Sequence, residues 1–340
     1  MPSRSDEIRQ FLLQEIDAMH SSSVVRVASE KFGISRQAVN RHLRQLVAEG
    51  LAEGSGNTKQ RQYELRVLAK GNFKFPLSPD LQEDIVWREK IQPLLGDMPD
   101  NVLRICQYGF TEILNNAIDH SQGKSVKVIV RRSAAKISFW IDDDGVGIFA
   151  KIKEALKLDD ERHAILELSK GKLTTAPTRH TGEGIFFTSR AFDLFSIQSG
   201  RLMFMGGFVP AWLIENRKTT LGTTVALEIS LFTTRTLKGI FDQYTAAHDD
   251  YGFSKTHLAV TLARYGDENL ISRSQAKRLL ARLDRFKEVV FDFSNVSTIG
   301  QAFADEIFRV FQQEHPQTSL QWVNVTPEVT QMIQRARAPH

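Results

Sequence analysis

Two polar residues in the segment from Thr111 to His120 have the types and spacing of a metal–phosphate site. Glu112 and Asn116 are four residues apart, so on a helix both side chains lie on one face. An amide oxygen can ligate a hard cation, and a carboxylate can orient or deprotonate a nucleophile. The positions around them are largely apolar, which favours a helix packed into a core. By itself, the same spacing is equally typical of a solvated helix face.

Three glycine-containing segments follow this helix, each in an element that could position a ligand. A predicted strand ends in Asp143 and leads into the first glycine pair, where the backbone can approach a ligand closely. The second pair opens an apolar helical segment, and the N-terminus of a helix binds phosphate well. The third segment begins a strand. The residues are Gly145 and Gly147 in the first segment, Gly182 and Gly184 in the second, and Gly222, Thr223 and Thr224 in the third.

The order of these four elements resembles that of the Bergerat-fold (GHKL) ATPases, the superfamily of DNA gyrase, histidine kinases and MutL. The resemblance covers residues 75–232 and implies an α/β sandwich that binds ATP with Mg²⁺. It implies Asn116 as the magnesium ligand, Glu112 as the catalytic carboxylate and Asp143 as the acceptor for the adenine amino group. Residues 149–181 would form a mobile, basic ATP lid. The other nucleotide-binding positions that it implies are Gly145, Gly147, Gly182, Gly184, and Thr223 or Thr224.

The branch of this superfamily that the chain resembles determines which reaction to expect from it. Residues 81–110 contain no histidine that could accept a phosphoryl group, and the chain after Ser230 is too short for the transducer domain of gyrase or MutL. The Glu-Ile-Leu-Asn-Asn-Ala-Ile-Asp-His form is most similar to anti-sigma-factor kinases, which phosphorylate a serine on a STAS-domain partner. That similarity implies a sigma factor or a STAS-type protein as a partner. A serine/threonine protein kinase and a slow ATPase therefore stay open as alternatives to an ATP-responsive regulator.

Residues 1–68 have the pattern of three helices followed by a hairpin. This pattern resembles the winged helix-turn-helix domain of bacterial transcription factors and implies binding to double-stranded DNA. A homodimer would read paired half-sites, whereas the alternative is a winged helix that contacts only protein. The third helix presents a basic, amide-rich face. The candidates for contact with base edges are Arg36, Gln37, Asn40 and Arg41, and those for contact with phosphates are Arg44, Lys59 and Arg61.

Residues 233–340 alternate between predicted strands and helices, which indicates an α/β layer domain. The stretch from Val289 to Phe308 resembles STAS-like domains, the relatives of anti-sigma-factor antagonists. Gly300 and Gln301 occupy the place of the Asp-Ser pair that carries the phosphoacceptor in those proteins. The segment is therefore expected to be a docking module without phosphotransfer, with nearby Ser297 and Thr298 as weaker candidates. A basic helix is predicted to expose its charged face to solvent, with Arg273, Lys277, Arg278, Arg282 and Arg285.

Composition agrees with a multidomain α/β protein of the cytoplasm. The chain has 340 residues, 44 basic and 40 acidic, with a net charge of +4 and a single cysteine, Cys106, in an apolar helical context. One cysteine cannot form an intrachain disulfide, and the sequence has no apolar run of the ~18 residues that cross a bilayer. We expect a three-part regulator in which Mg-ATP controls the winged helix through the STAS-like domain.

Overall fold

The computed structural model is a mixed α/β, multidomain protein in which the described strands form three separate sheets. No helix in the part of the chain that it covers has the length and apolar character needed to cross a bilayer. The structure describes residues 3–18, 24–56, 61–173, 182–207, 212–245, 253–264 and 268–338.

The N-terminal unit contains three helices and a two-stranded antiparallel sheet. Apolar side chains at helical spacing, such as Leu12, Leu43 and Leu46, fill its core. Ser35 caps the third helix, since its side chain accepts a hydrogen bond from the Ala38 amide at 3.2 Å. The elements are α1 (Arg4–Asp17), α2 (Val24–Phe32), α3 (Arg36–Ala48), β1 (Ala52–Ser55) and β2 (Gln62–Leu65).

The middle unit is built on a five-stranded antiparallel sheet, with strand order β3-β4-β5-β7-β6, packed against helices. Its strands are β3 (Ala69–Pro76), β4 (Ser125–Arg132), β5 (Lys136–Asp143), β6 (Leu194–Gly207) and β7 (Trp212–Ser230). Its helices are α4 (Glu83–Val86), which continues through a π-helical turn (Trp87–Ile91) into α5 (Gln92–Leu95), then α6 (Asp100–His120), α7 (Ile148–Leu156), α8 (Glu161–Lys170) and α9 (Gly184–Ala191).

The packing of α6 on the sheet sets the position of its polar face. Phe110 of α6 packs against Phe139 of β5, with the rings tilted and their centroids 5.8 Å apart. Cys106, on the same helix, is fully buried, so it is a core residue, and burial raises the pKa of its thiol. With this apolar face fixed on the sheet, the C-terminal half of α6 presents Glu112 and Asn116 to a cavity.

The C-terminal unit has a three-stranded parallel sheet, with strand order β10-β9-β8 and helical crossovers. Its strands are β8 (Lys255–Ala259), β9 (Glu288–Asp292) and β10 (Ser319–Val323). Its helices are α10 (Leu237–Asp242), α11 (Arg273–Leu280), α12 (Gln301–Asp305), which continues through a π-helical turn (Glu306–Phe311) into α13 (Gln312–Glu314), and α14 (Pro327–Arg337). Two 3₁₀ turns, Val260–Ala263 and Leu283–Arg285, complete it.

Arg273, Lys277 and Arg285 of the basic helix are exposed, as expected from the sequence, whereas Arg278 and Arg282 are half-buried. Arg273 and Lys277 lie within 4.0 Å of the carboxylate of Glu306 in the neighbouring helix. Arg282 instead crosses to the middle unit, where it pairs with Glu167 at 2.8 Å. The sequence pattern identified a charged surface but could not identify what packs against it.

The middle unit contacts both of the other units directly. The buried apolar residues of the middle and C-terminal units form one continuous cluster. Those of the N-terminal unit form a second cluster, which includes Ala135 of the β4–β5 turn and packs against Phe232. The N-terminal unit therefore rests on one end of the middle sheet.

Candidate functional site

A cavity of about 390 Å³ lies between α6, the end of β5, the middle of β7, and the starts of α7 and α9. Its volume falls in the range of small-molecule sites, roughly 300–1,000 Å³. Residues that are far apart in the sequence meet in its wall. Seven of them are predicted site residues, the candidate catalytic Glu112 and six candidates for binding the nucleotide or its metal: Asn116, Asp143, Gly147, Gly182, Gly184 and Thr223.

Asp143 occupies the end of β5 with its carboxylate held by backbone amides. Its Oδ1 accepts hydrogen bonds from the amides of Gly145 at 2.9 Å and Thr223 at 3.3 Å. Both of these bonds go to Oδ1, and Oδ2 accepts none from the described residues. Burial raises the pKa of Asp143, and the two amide donors only partly oppose that rise. The carboxylate is thus oriented and poorly hydrated.

Strand alternation distinguishes Thr223 from Thr224. Thr223 pairs with Asp143 across β5 and β7, lines the cavity, and accepts a hydrogen bond from the Ile148 amide at 3.0 Å. The hydroxyl of Thr224 instead donates to Asp142 at 2.6 Å on the exposed face of the sheet. Successive side chains of a strand point to opposite faces, so only one of the two threonines can serve this cavity.

The glycines allow the backbone segments to approach each other closely. A Cβ on Gly222, whose φ is 67°, would overlap the carbonyl oxygen of Asp143. Gly147 adopts a φ of 87° where it begins α7. Gly145 packs on Ser121 instead of lining the cavity, because a Cβ there would overlap the Ser121 carbonyl. Gly145 is thus not among the residues that line the cavity, and its predicted place beneath a nucleotide stays a prediction.

The opposite end of the cavity combines a carboxylate with a helix N-terminus. Gly184 is the first residue of α9, and a Cβ there would overlap Oε2 of Glu112. Glu112 and Asn116 line the cavity one helical turn apart. The amides at the start of α9 and its positive dipole end favour an anion such as a phosphate at this end.

Asn116 is the candidate metal ligand, and it lies in this cavity as predicted from the sequence. No group of three or more His, Cys, Asp or Glu residues that could hold a metal ion is found among the described residues. A cation at Asn116 would therefore take most of its ligands from water and from a bound phosphate. This donor set fits Mg²⁺, which usually keeps several waters and binds through one or two protein oxygens plus substrate phosphates.

The predicted lid segment is described as far as Leu173, and residues 174–181, including Arg179, lie outside the described residues. Leu168 and Leu173 line the cavity. The expectation that the lysines of this segment cover phosphates was wrong for Lys170, whose ammonium group is buried against the C-terminal unit. Lys151 does line the cavity, where its Nζ donates to the carbonyl of His120 at 2.5 Å.

The candidate DNA-binding residues lie on α3 and the hairpin. Arg36, Arg41 and Arg44 are exposed, and none of them has an ion-pair partner among the described residues. Gln37 is exposed, Asn40 is half-buried, Arg61 lies near the ring of Tyr63, and Lys59 lies outside the described residues. By contrast, Arg9 on α1 is paired with Glu49. Cations without protein partners are available to phosphates and base edges.

Comparison with known proteins identifies part of the C-terminal unit. A family model described as a STAS-like domain of unknown function (DUF4325) matches residues 275–330. The prediction of a STAS-like domain is confirmed. No curated protein matches the chain. Within the matched region, Gly300 and Gln301 lie at the start of α12, and Ser297 and Thr298 before them are exposed.

The sequence reasoning missed several residues that the fold brings to the cavity or to the contacts between units. Leu168 and Leu173 form part of the wall, although no motif marks them. Lys136 bridges the N-terminal and middle units, and Arg190 bridges the middle and C-terminal units. A strand-end lysine and a helix-end arginine are common on surfaces, so their types alone carried no signal.

Proposed function

We propose that this chain is an ATP-binding regulator of transcription. Mg-ATP occupies the cavity of the middle domain and controls DNA binding by the N-terminal winged helix. The observation that carries the proposal is the convergence of the predicted residues on one cavity, with an oriented carboxylate at one end and a helix N-terminus at the other. Few ligands other than a nucleotide need both a hydrogen-bond acceptor for a base and a site for phosphates.

Each end of the cavity has a distinct role in this proposal. Asp143 Oδ2 accepts a hydrogen bond from the adenine amino group, while Thr223 stands beside it. At the other end, the amides of α9 bind the phosphates, and Asn116 holds Mg²⁺ against them. The carboxylate of Glu112 next to Gly184 lies where it can orient water or another nucleophile toward the terminal phosphate.

The contact between the winged helix and the middle domain supports direct control of DNA binding. Lys136 Nζ lies 3.3 Å from Asp17 of α1 and 3.1 Å from Glu228 of β7. Lys136 begins β5, and Asp143 ends it; β7 carries both Glu228 and Thr223. The two strands that hold the adenine end of the cavity therefore also hold the winged helix. The STAS-like domain is a separate input, which contacts the lid segment.

A binding measurement with matched variants tests the nucleotide site. Asp143→Asn keeps an oxygen for the two backbone amides but removes the charge, so Mg-ATP affinity should fall by roughly 10–150-fold, the value of a hydrogen bond to a charged group. Asp142→Asn is the control, since Asp142 is the next residue of the strand, exposed and bonded to Thr224. Titration calorimetry should show loss of affinity in the first variant and not in the second. Equal affinity in the two variants would refute the adenine assignment.

A phosphotransferase is the second candidate, and the position of Glu112 favours it. With γ-labelled ATP, transfer of label to a protein supports a serine/threonine kinase, and release of free phosphate alone supports an ATPase. Glu112→Ala should abolish either reaction while nucleotide binding persists. Turnover that survives this substitution would show that Glu112 is not the catalytic carboxylate.

A further inference from the structure

Helix α8 has two functional faces, one on the cavity and one on the STAS-like domain. Leu168 lines the cavity, and so does Leu173 just beyond the helix. Glu167 and Lys170, on either side of Leu168, point instead to the STAS-like domain. One short segment is therefore both a wall of the candidate nucleotide site and the surface on which the C-terminal domain docks.

Lys170 is the centre of this contact. Its side chain is only 2% exposed, and its Nζ donates to Glu167 at 2.7 Å and to the carbonyl oxygens of Arg278 at 3.1 Å and Ala281 at 2.8 Å. The last two acceptors belong to the STAS-like domain. The backbone carbonyl of Lys170 in turn accepts a hydrogen bond from Thr256 of β8 at 2.7 Å.

Arg282 completes the arrangement from the other side. Its Nη1 donates to the second carboxylate oxygen of Glu167 at 2.8 Å, so Glu167 is held by one cation from each domain. We call Glu167, Lys170 and Arg282 the α8 joint. Arg282 has a φ of 62°, so its position depends on the turn that ends α11.

Arg190 links α9, the helix at the phosphate end of the cavity, to the contact between α8 and the C-terminal unit. It lies at the end of α9, whose first residue lines the cavity. Its Nη2 donates to the carbonyl of His257 in β8 at 3.1 Å and approaches that of Ser169 in α8 at 3.4 Å. Its guanidinium group also stacks on the ring of Phe186, 3.4 Å from the centroid. Both elements of the phosphate side are thus bonded to the STAS-like domain.

The burial of this joint makes partial separation unfavourable. A buried ammonium group that loses its acceptors without gaining water is strongly destabilised, and so is a buried carboxylate that loses its cation. Burial already lowers the pKa of Lys170, despite the adjacent Glu167. The contact should therefore be either fully made or fully open and hydrated, which is the behaviour of a two-state element.

We propose that docking of the STAS-like domain through the α8 joint sets the affinity of the cavity for Mg-ATP. The docked domain holds α8 so that Leu168 and Leu173 form the cavity wall, and release of the joint withdraws that wall. Because coupling of two binding equilibria is reciprocal, bound Mg-ATP also stabilises the docked domain. The inference rests on the proposed function, and it assigns the STAS-like domain as the regulator of the nucleotide site.

Two variants, one on each side of the contact, test the joint in the full chain. Lys170→Met removes the buried charge from α8, and Arg282→Asn removes the partner of Glu167 while keeping a residue that tolerates positive φ. Lys277→Met is the matched control, because Lys277 is 70% exposed on α11 and pairs with Glu306 within the STAS-like domain. Hydrogen exchange across residues 161–173 without nucleotide reports docking, and titration with Mg-ATP reports affinity.

Both joint variants should exchange faster over residues 161–173 and bind Mg-ATP about 5–150-fold more weakly, the usual range of coupling between sites. The control should match the wild type in both measurements. Faster exchange with unchanged Mg-ATP affinity would overturn the coupling, and unchanged exchange in both variants would overturn the joint itself. Failure of the wild type to bind Mg-ATP would instead overturn the proposed function, so the two failures are distinguishable.

Discussion

At Asp143, burial and hydrogen bonding shift the pKa of one carboxylate in opposite directions. Burial raises its pKa, while the amides of Gly145 and Thr223 favour the charged form. A raised pKa in the folded state means that this group stabilises the fold below its ordinary pKa and that the contribution is lost as the pH rises through the folded value. In its charged form, Asp143 is thus held at a cost to the stability of the fold.

This cost gives a prediction that separates function from stability. At neutral pH, Asp143→Asn should unfold at the same or a higher denaturant concentration than the wild type, although it binds Mg-ATP more weakly. In the wild type, Mg-ATP affinity should fall as the pH drops through the raised pKa of Asp143, because the protonated group is a poorer acceptor. Chemical denaturation and titrations between neutral and acidic pH test both points. A marked loss of stability in Asp143→Asn would mean that the carboxylate is structural.

Gly184 offers a second test at the scale of one residue. A Cβ in Gly184→Ala would overlap only the end of the Glu112 side chain, which can rotate away, so the free energy of unfolding should change by less than about 1 kcal/mol. The displaced carboxylate should enter the phosphate end of the cavity and lower Mg-ATP affinity. The double variant Glu112→Ala/Gly184→Ala should recover binding. If the double variant does not recover binding, the overlap between the new Cβ and Glu112 is not the cause of the lost affinity.

Residue types and spacing could predict much of this site, but they could not resolve the choice between neighbouring strand residues. Thr223 and Thr224 looked equivalent in the sequence, and only the pairing of Thr223 with Asp143 distinguishes them. The same limit applies to Gly145, whose packing on Ser121 depends on where α6 ends. A strand pattern gives the alternation of faces, whereas the identity of each face is set by tertiary packing.

At the scale of elements, α6 and α9 position the phosphate end of the cavity through a close helix contact. A Cβ on Gly109 of α6 would overlap the ring of Phe192 and lie 3.2 Å from Cγ2 of Thr188. Phe192 is fully buried and has no room to move. The spacing of these helices, and hence the distance from Glu112 to the start of α9, depends on this glycine.

Gly109→Ala should therefore destabilise the protein, even though alanine is the better helix former. Overpacking costs about 1–3 kcal/mol, which exceeds the gain in helix propensity of ~1 kcal/mol over most of that range. Gly206→Ala is the control, since its Cβ would meet Phe204 at 3.4 Å, an ordinary contact. Denaturant unfolding of the two variants measures the difference. Equal stability of the two variants would mean that α6 and α9 can move apart without a loss in the free energy of unfolding.

The role of α8 was less predictable than that of α6. Its one lysine, Lys170, was expected to face phosphates because the sequence places it in a lid segment. Lys170 instead donates to carbonyl oxygens at the end of α11, more than 100 positions later in the chain. Such a contact depends on the docking of two domains, for which no local periodicity gives a signal.

At the scale of the whole molecule, the middle unit connects the N-terminal unit to the C-terminal unit. The N-terminal unit, which we propose binds DNA, rests on the end of the middle sheet at Lys136, and the C-terminal unit rests on α8. The mixed α/β, multidomain character and the STAS-like segment could be predicted from the sequence, and both are confirmed. The expected route from the nucleotide to the N-terminal unit through the STAS-like domain stays a prediction, and Lys136 adds a direct contact between the N-terminal and middle units.

Lys136→Met tests that direct route. The variant removes the cation between Asp17 and Glu228, which leaves two carboxylates near each other and should loosen the winged helix on the sheet. Mg-ATP affinity should be unchanged, whereas any effect of Mg-ATP on DNA binding should be lost. Lys127→Met, on the exposed face of β4, is the control. If DNA binding by Lys136→Met still responds to Mg-ATP, the direct route is wrong and the coupling runs through the STAS-like domain instead.

The most direct test of nucleotide-controlled DNA binding is the fluorescence anisotropy of a labelled, random-sequence duplex, titrated with the full-length protein at low salt with and without Mg-ATP. We predict that Mg-ATP changes the DNA affinity and its salt dependence in the wild type and leaves both unchanged in Asp143→Asn. Identical affinity and salt dependence with and without Mg-ATP, in a wild-type protein that binds the nucleotide, would contradict the central claim.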